Sequence, residues 1–149
     1  LGVLTLDDRD IIIADIPGLI EGASEGLGLG IRFLKHISRT AALAFLIDLS
    51  ADTWEGAYGV LYKELDAFSP ELVRKPRVIL GTKTDLPGTG ERLDRLKARF
   101  PGEQVRGISV FSGEGIPELA RVLLGLADSP RKALSGDEAV PEPGEVCYR

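Results

Sequence analysis

Arg77-Val78-Ile79-Leu80-Gly81-Thr82-Lys83-Thr84-Asp85 is the stretch on which the reading of this chain turns. Its first residues form a short apolar run without polar alternation, the mark of a strand covered on both faces over 77–80. The run then breaks into a small residue and four polar ones, as a loop at a strand's carboxyl end does. Toward the amino terminus, Trp54, Ala57, Leu61, Leu65 and Phe68 mark one face of a helix, and Leu43 to Ile47 is a second buried strand ending at Asp48. Toward the carboxyl terminus, Leu93, Leu96 and Phe100 mark another helix, Val105 to Ile108 a short strand, and Leu119, Val122, Leu123 and Leu126 a last helix opened by Pro117.

The opening residues fit the same scheme. Leu1 to Leu6 and the run Ile11-Ile12-Ile13-Ala14, separated by turn-like Asp7 to Asp10, predict a hairpin feeding a buried strand. Pro17 and Gly18 then break the strand, the glycine-rich segment Glu21 to Gly30 predicts a mobile loop, and Ile31, Leu34 and Ile37 recur at helical spacing. Apolar strands alternating with helices predict an α/β fold, a doubly wound, mostly parallel sheet with helices on both faces. Ligands in such sheets bind outside the carboxyl ends of the strands. Those ends carry Asp15, Asp48, Thr82 to Asp85, and Ser109.

Bulk properties exclude several function classes. At 149 residues the chain suits one domain with one core, and 44% hydrophobic with 28% charged residues is the balance of a soluble globular protein. A formal net charge of −5 argues against coating DNA or another phosphate backbone, which needs a surplus of Lys and Arg. The longest apolar run, Ala41 to Ile47, falls far short of the ~20 residues that cross a bilayer, and no signal segment opens the chain. No membrane role and a cytoplasmic location are therefore expected. Cys147 is the single cysteine, so it forms no internal disulfide and no zinc site by itself. The absence of methionine and the opening residue Leu1 predict a piece of a longer protein, and the Pro, Gly, Ser and acidic residues of 128–149 predict a linker or tail.

Three strand ends carry candidate chemistry. Asp15-Ile16-Pro17-Gly18 offers a carboxylate that can hold magnesium directly or through water, and a glycine whose N–H can approach a terminal phosphate. Asp85, closing Thr82-Lys83-Thr84-Asp85, has two oxygens that can accept from the N1–H and N2–H2 edge of guanine, a pair of donors that adenine lacks, while the Lys83 stem can lie on the purine face. In Ser109-Val110-Phe111-Ser112-Gly113-Glu114-Gly115, a backbone N–H can bond the guanine O6 while a serine hydroxyl braces the loop. Taken singly, each has an ordinary alternative: a strand-ending acidic turn, a surface Lys–Asp turn, and a helix-capping Ser–Gly turn. Their order, each at a strand end, outweighs those alternatives.

The long segment from Asp15 through Gly30 resembles the switch II region of the Obg family of GTPases, and Arg32-Phe33-Leu34-Lys35-His36-Ile37 extends the likeness into the helix that follows. The likeness covers residues 1–127, read as a partial Ras-like P-loop G domain, N-terminally truncated. It implies GTP and GDP as ligands, magnesium as cofactor, GTP hydrolysis, and work on the large ribosomal subunit during its assembly. By the same likeness, Asp15, Ile16, Pro17 and Gly18 serve the metal and terminal phosphate, with Asp15 the metal ligand; Thr82, Lys83, Thr84 and Asp85 serve the base; Ser109, Val110 and Phe111 serve its edge. Thr82 stands where Asn is commoner and Val110 where Ala is usual. Leu19 occupies the place of the water-orienting glutamine of Ras-type enzymes, which implies slow hydrolysis unless another group positions the water. No catalytic base is named.

No Gly-x-x-x-x-Gly-Lys-Ser/Thr occurs in the 149 residues. In the family that loop and its strand precede Leu1, and the strand lies between those ending at Asp15 and Asp48. Its absence predicts one of three outcomes: the sheet closes across the gap, another element fills it, or residues beyond these complete it. The chain alone is accordingly expected to bind GTP weakly, and a non-catalytic GTPase-like interaction module is the second reading. A receiver domain using Asp48 and Lys83 lacks the acidic pair it needs. Gly26 to Gly30 is not a dinucleotide fingerprint, the lone His36 makes no metal or triad site, and Asp48 reads as a strand-end residue.

Overall fold

The computed structural model describes residues 2–15, 40–128 and 145–148. The proposed glycine-rich loop and the helix after it lie outside the described residues. Strands β1 (Gly2–Leu6) and β2 (Arg9–Asp15) form an antiparallel hairpin, with Leu6 opposite Arg9 and Gly2 opposite Ile13. Its turn is Asp7-Asp8, both at positive φ (51° and 59°), the conformation that a two-residue hairpin turn needs and that Asp tolerates better than most residues. Arg9 and Asp10, expected in the turn, therefore pair within the strand, and Thr5 donates across to Asp10 at 2.6 Å.

The remaining elements run β3 (Ala42–Asp48), α1 (Trp54–Phe68), a 3-10 turn at Leu72–Arg74, β4 (Arg77–Thr82), α2 (Thr89–Arg99), β5 (Gln104–Ile108), α3 (Ile116–Ala127) and β6 (Glu145–Tyr148). They build one six-stranded sheet in the order β1-β2-β6-β3-β4-β5, parallel except at the β1–β2 hairpin.

Alternation along β3 shows why the fold needs helices on both sides. Ala42 and Ala44 turn toward a cluster with Val78, Leu80, Ile108 and the α3 residues Leu123 and Leu126. Leu43, Phe45 and Ile47 turn the other way, into clusters with Leu65 and Trp54 of α1 and Leu96 of α2. Both faces of a central strand are thus buried, which is why its sequence reads as an unbroken apolar run. Each buried Val, Leu, Ile or Phe among them contributes about 1.5–3 kcal/mol by leaving water, so the two faces together hold the helices against the sheet.

The strand missing between β2 and β3 is replaced. Glu145–Tyr148, inside the stretch read above as linker or tail, is a strand: Ile12 to Asp15 of β2 lie opposite Glu145 to Tyr148, and Ala42 to Ala44 of β3 lie opposite Val146 to Tyr148. Of the three outcomes that the gap allowed, another element fills it. The force behind this is backbone hydrogen bonding, because the facing edges of two central strands carry N–H and C=O groups that burial without partners would penalise. Val146 and Tyr148 favour extended backbone, but four residues are too few for a strand pattern to stand out.

Removal of residues 145–149 is expected to lower the thermal midpoint and promote self-association through the bared edges of β2 and β3. Thermal unfolding with light scattering checks this; an unchanged midpoint would show that the sheet does not need β6.

Candidate functional site

Strand register sets out the site. Asp48, Thr82 and Ile108 lie side by side across β3, β4 and β5, so the loops that follow begin at one level. Asp15 does not share that level: it lies opposite Tyr148, which lies opposite Ala44, four residues before Asp48. Asp15 is exposed at the end of β2, and Ile16, Pro17 and Gly18 lie outside the described residues.

The loops after β4 and β5 are tied together. Ser109, fully buried, donates its hydroxyl to Asp85 Oδ1 at 2.5 Å and accepts from the Ser112 N–H at 3.0 Å. That use of one Asp85 oxygen leaves lone pairs on both for a donor pair from outside. Thr84 adds a second tie, its hydroxyl donating to Glu114 Oε2 at 3.1 Å and its N–H to the Ile108 carbonyl at 3.3 Å. The structure thus brings Thr84 and Asp85 of the Thr82–Asp85 loop against the loop of Ser109. Val110 and Phe111 are 84% and 92% exposed, so the rim beside Ser109 opens to solvent.

Lys83 has a left-handed backbone, φ 62°, which carries the chain out of β4 and into the turn closed by Leu86 N–H to the Lys83 carbonyl at 3.1 Å. A non-glycine residue there is held by its surroundings. Part of that hold comes from Thr89, buried in the first turn of α2. Its hydroxyl lies 2.6 Å from the Leu86 carbonyl and 3.1 Å from that of Thr84, sharing one proton between them. Thr82 donates to the Ile47 carbonyl at 3.3 Å, fastening the loop's start to β3.

Residues outside the predicted set complete the arrangement. Lys83 Nζ meets Asp48 Oδ2 at 2.7 Å, while Asp48 Oδ1 accepts from the Ser50 hydroxyl at 2.6 Å and N–H at 2.9 Å. Burial pushes the Asp48 carboxyl up, but the bonds from Lys83 and Ser50, with the Lys83 charge, outweigh it and hold the group at about 2. Asp48 therefore stays ionised at neutral pH. Arg92 of α2 donates to the carbonyls of Leu49 at 2.7 Å and Ala51 at 3.1 Å, clamping the loop after β3. Only Asp48 was singled out in the sequence, and as a plain strand-end residue; Thr89 and Arg92 carried no motif.

The β5 loop turns on two left-handed glycines, Gly113 (φ 79°) and Gly115 (φ 72°), and closes with Ser109 N–H to the Glu114 carbonyl at 3.0 Å and Gly113 N–H to the Ser109 carbonyl at 2.9 Å. A Cβ at Gly115 would stand 2.3 Å from the Gly107 carbonyl oxygen, a backbone atom that cannot swing away, whereas one at Gly113 would meet open space.

Strand order, parallel direction and helices on both faces define a doubly wound α/β domain of the class that takes ligands past its strand ends. A family model described as 50S ribosome-binding GTPase matches residues 1–83. The GTPase Obg of Treponema denticola is 51% identical over 146 residues, 97% of this chain and 38% of that protein. The GTPase Obg of Treponema pallidum strain Nichols is 50% identical over 135 residues, 90% and 36% of the two, and that of Borrelia hermsii 48% over 127 residues, 85% and 39%. The chain belongs to this GTPase family, in its Obg branch. It spans well under half the length of each of these relatives.

Gly115→Ala is expected to cost about 2 kcal/mol or more, through left-handed strain plus the clash, and Gly113→Ala about 1 kcal/mol through strain alone. Urea unfolding of the two variants checks the ranking; equal losses would mean that the Gly107 contact does not constrain the loop.

Proposed function

We propose that this chain is the base-recognising portion of a GTPase that binds GTP and GDP with magnesium and, in the whole protein, hydrolyses GTP during assembly of the large ribosomal subunit. The observation that carries the reading is the buried Ser109 hydroxyl bonded to Asp85 at 2.5 Å, which joins the two loops that would read a guanine edge. In this reading Asp85 accepts from N1–H and N2–H2, the Lys83 stem covers one purine face, and a backbone N–H of Ser109, Val110 or Phe111 meets O6. Ile16, Pro17 and Gly18 would face the terminal phosphate. The likeness to a 50S ribosome-binding GTPase family and to GTPase Obg relatives supports both the nucleotide and the ribosomal partner.

Magnesium fits the donor set in a limited way. No group of three His, Cys, Asp or Glu side chains stands ready for a metal among the described residues. Magnesium keeps several waters and takes only one or two carboxylates beside substrate phosphates, so a lone exposed carboxylate such as Asp15 suits it. When bound it would neutralise charge on the phosphates. Among the described residues no helix is long and apolar enough to cross a membrane. The cytoplasm is proposed as the location on the likeness to the Obg relatives.

Base contacts without a phosphate cradle give low affinity, because the phosphate loop's N–H groups and its Lys are the larger source of nucleotide binding. This 149-residue chain is therefore expected to bind a fluorescent guanine nucleotide only weakly; micromolar or tighter magnesium-dependent binding in a titration overturns that part of the proposal. A coding sequence with a phosphate loop roughly 45–50 residues before Asp15 supports the enzyme, and its absence supports the interaction module instead. In the full-length protein, Asp85→Asn is expected to shift preference from GTP toward xanthosine triphosphate. An unchanged preference in competition binding removes Asp85 from the base site.

A further inference from the structure

The Asp48 carboxylate is placed to do more than end a strand. Its two oxygens are divided between tasks: Oδ1 is held by the hydroxyl and N–H of Ser50, and Oδ2 receives Lys83 Nζ at 2.7 Å. Ser50 Oγ lies 3.5 Å from the same ammonium. The turn that carries both residues is itself anchored, since Arg92 donates to the carbonyls of Leu49 and Ala51. A rigid acceptor thus faces a flexible lysine, and the lysine rises from a left-handed backbone position inside the Thr82–Asp85 loop.

We propose that Asp48, with Ser50, is a positioning residue for Lys83, pinning its ammonium at the β3 end so that the methylene stem lies extended across the space where a purine ring would stack. The idea rests on the base-recognition reading above. Its physical content is entropic. A free lysine stem samples many rotamers, and one that must be ordered on binding weakens the complex by part of that entropy. A stem already held by an ion pair loses less. The pair is half exposed, Lys83 and Asp48 side chains being 53% and 40% accessible, so the effect is small and its direction is what counts.

The test is a double-mutant cycle in the full-length protein, with Kd for GDP and inosine diphosphate read by fluorescence competition and folding checked by circular dichroism. Asp48→Ala is expected to weaken both nucleotides about three- to fivefold and equally, because stacking does not depend on the 2-amino group. On a Lys83→Ala background the same change is expected to cost less than about twofold, since the group it positions is gone. Should Asp48→Ala fail to fold, Ser50→Ala and Asp48→Asn replace it, with smaller losses that also vanish on the Lys83→Ala background. Equal losses with and without Lys83, or no loss at all, overturn the proposal. The base reading is checked separately by Asp85→Asn: a shifted guanine-to-xanthine preference alongside an additive cycle sinks only the positioning role, whereas an unshifted preference sinks both.

Discussion

The joining of the two halves of the described sheet depends on a strand between β2 and β3. Among the described residues, β6 is the strand that pairs with both sides and so links the hairpin of β1 and β2 to the sheet that carries the loops. The connection is short, four residues against β2 and three against β3, while β3 and β4 share six. Packing supplements it: Ile11 of β2 is fully buried in the cluster that α3 seals, and Arg9 and Asp128 pair at 2.6 Å across the same side. That ion pair is exposed at both ends and adds little, so apolar contact with α3 is the stronger of the two supplements.

The sheet in turn explains why one half of the site is well ordered by contacts and the other is set apart. On the β3–β4–β5 side, register aligns three strand ends, and short polar side chains then stitch neighbouring loops: Ser109 to Asp85, Thr84 to Glu114, Asp48 to Lys83. Helix α2 contributes both braces, Thr89 for the loop after β4 and Arg92 for the loop after β3. Membership of the GTPase family accounts for the motifs, and the braces account for how these residues hold their positions.

Much of this was legible in the sequence for a definite reason. A strand buried on both faces announces itself by an apolar run, so β3 and β4 were visible, and β2 showed the run Ile11 to Ala14. β5, at the sheet's edge with Arg106 exposed, was read from Val105 and Ile108. The strand ends were less visible: β4 continues through Gly81 and Thr82, paired with Gly107 and Ile108, although neither of its last two residues looks apolar. β6 stayed hidden because its pairing is decided by a vacancy elsewhere in the sheet and not by its own four residues. Motif order put Asp85 and Ser109 at strand ends, but it foretold neither their hydrogen bond nor the Asp48–Lys83 pair. Thirty-five positions part that pair, and only the alignment of Asp48 with Thr82 brings them together.

The step in register at β2 bears on ligand shape. Four residues of strand correspond to about 13 Å, so Asp15 sits that far back along the strand direction from the level of Asp48 and Thr82. A flat ring that fills the corner between Asp85 and Ser109 cannot also reach such a depth. In the proposed function, a ligand served by both ends is long, with hydrogen-bonding edges at one extremity and anionic oxygens at the other. Under that proposal the register asks for length as well as base identity, and a free purine or a nucleoside would engage only half of the proposed site.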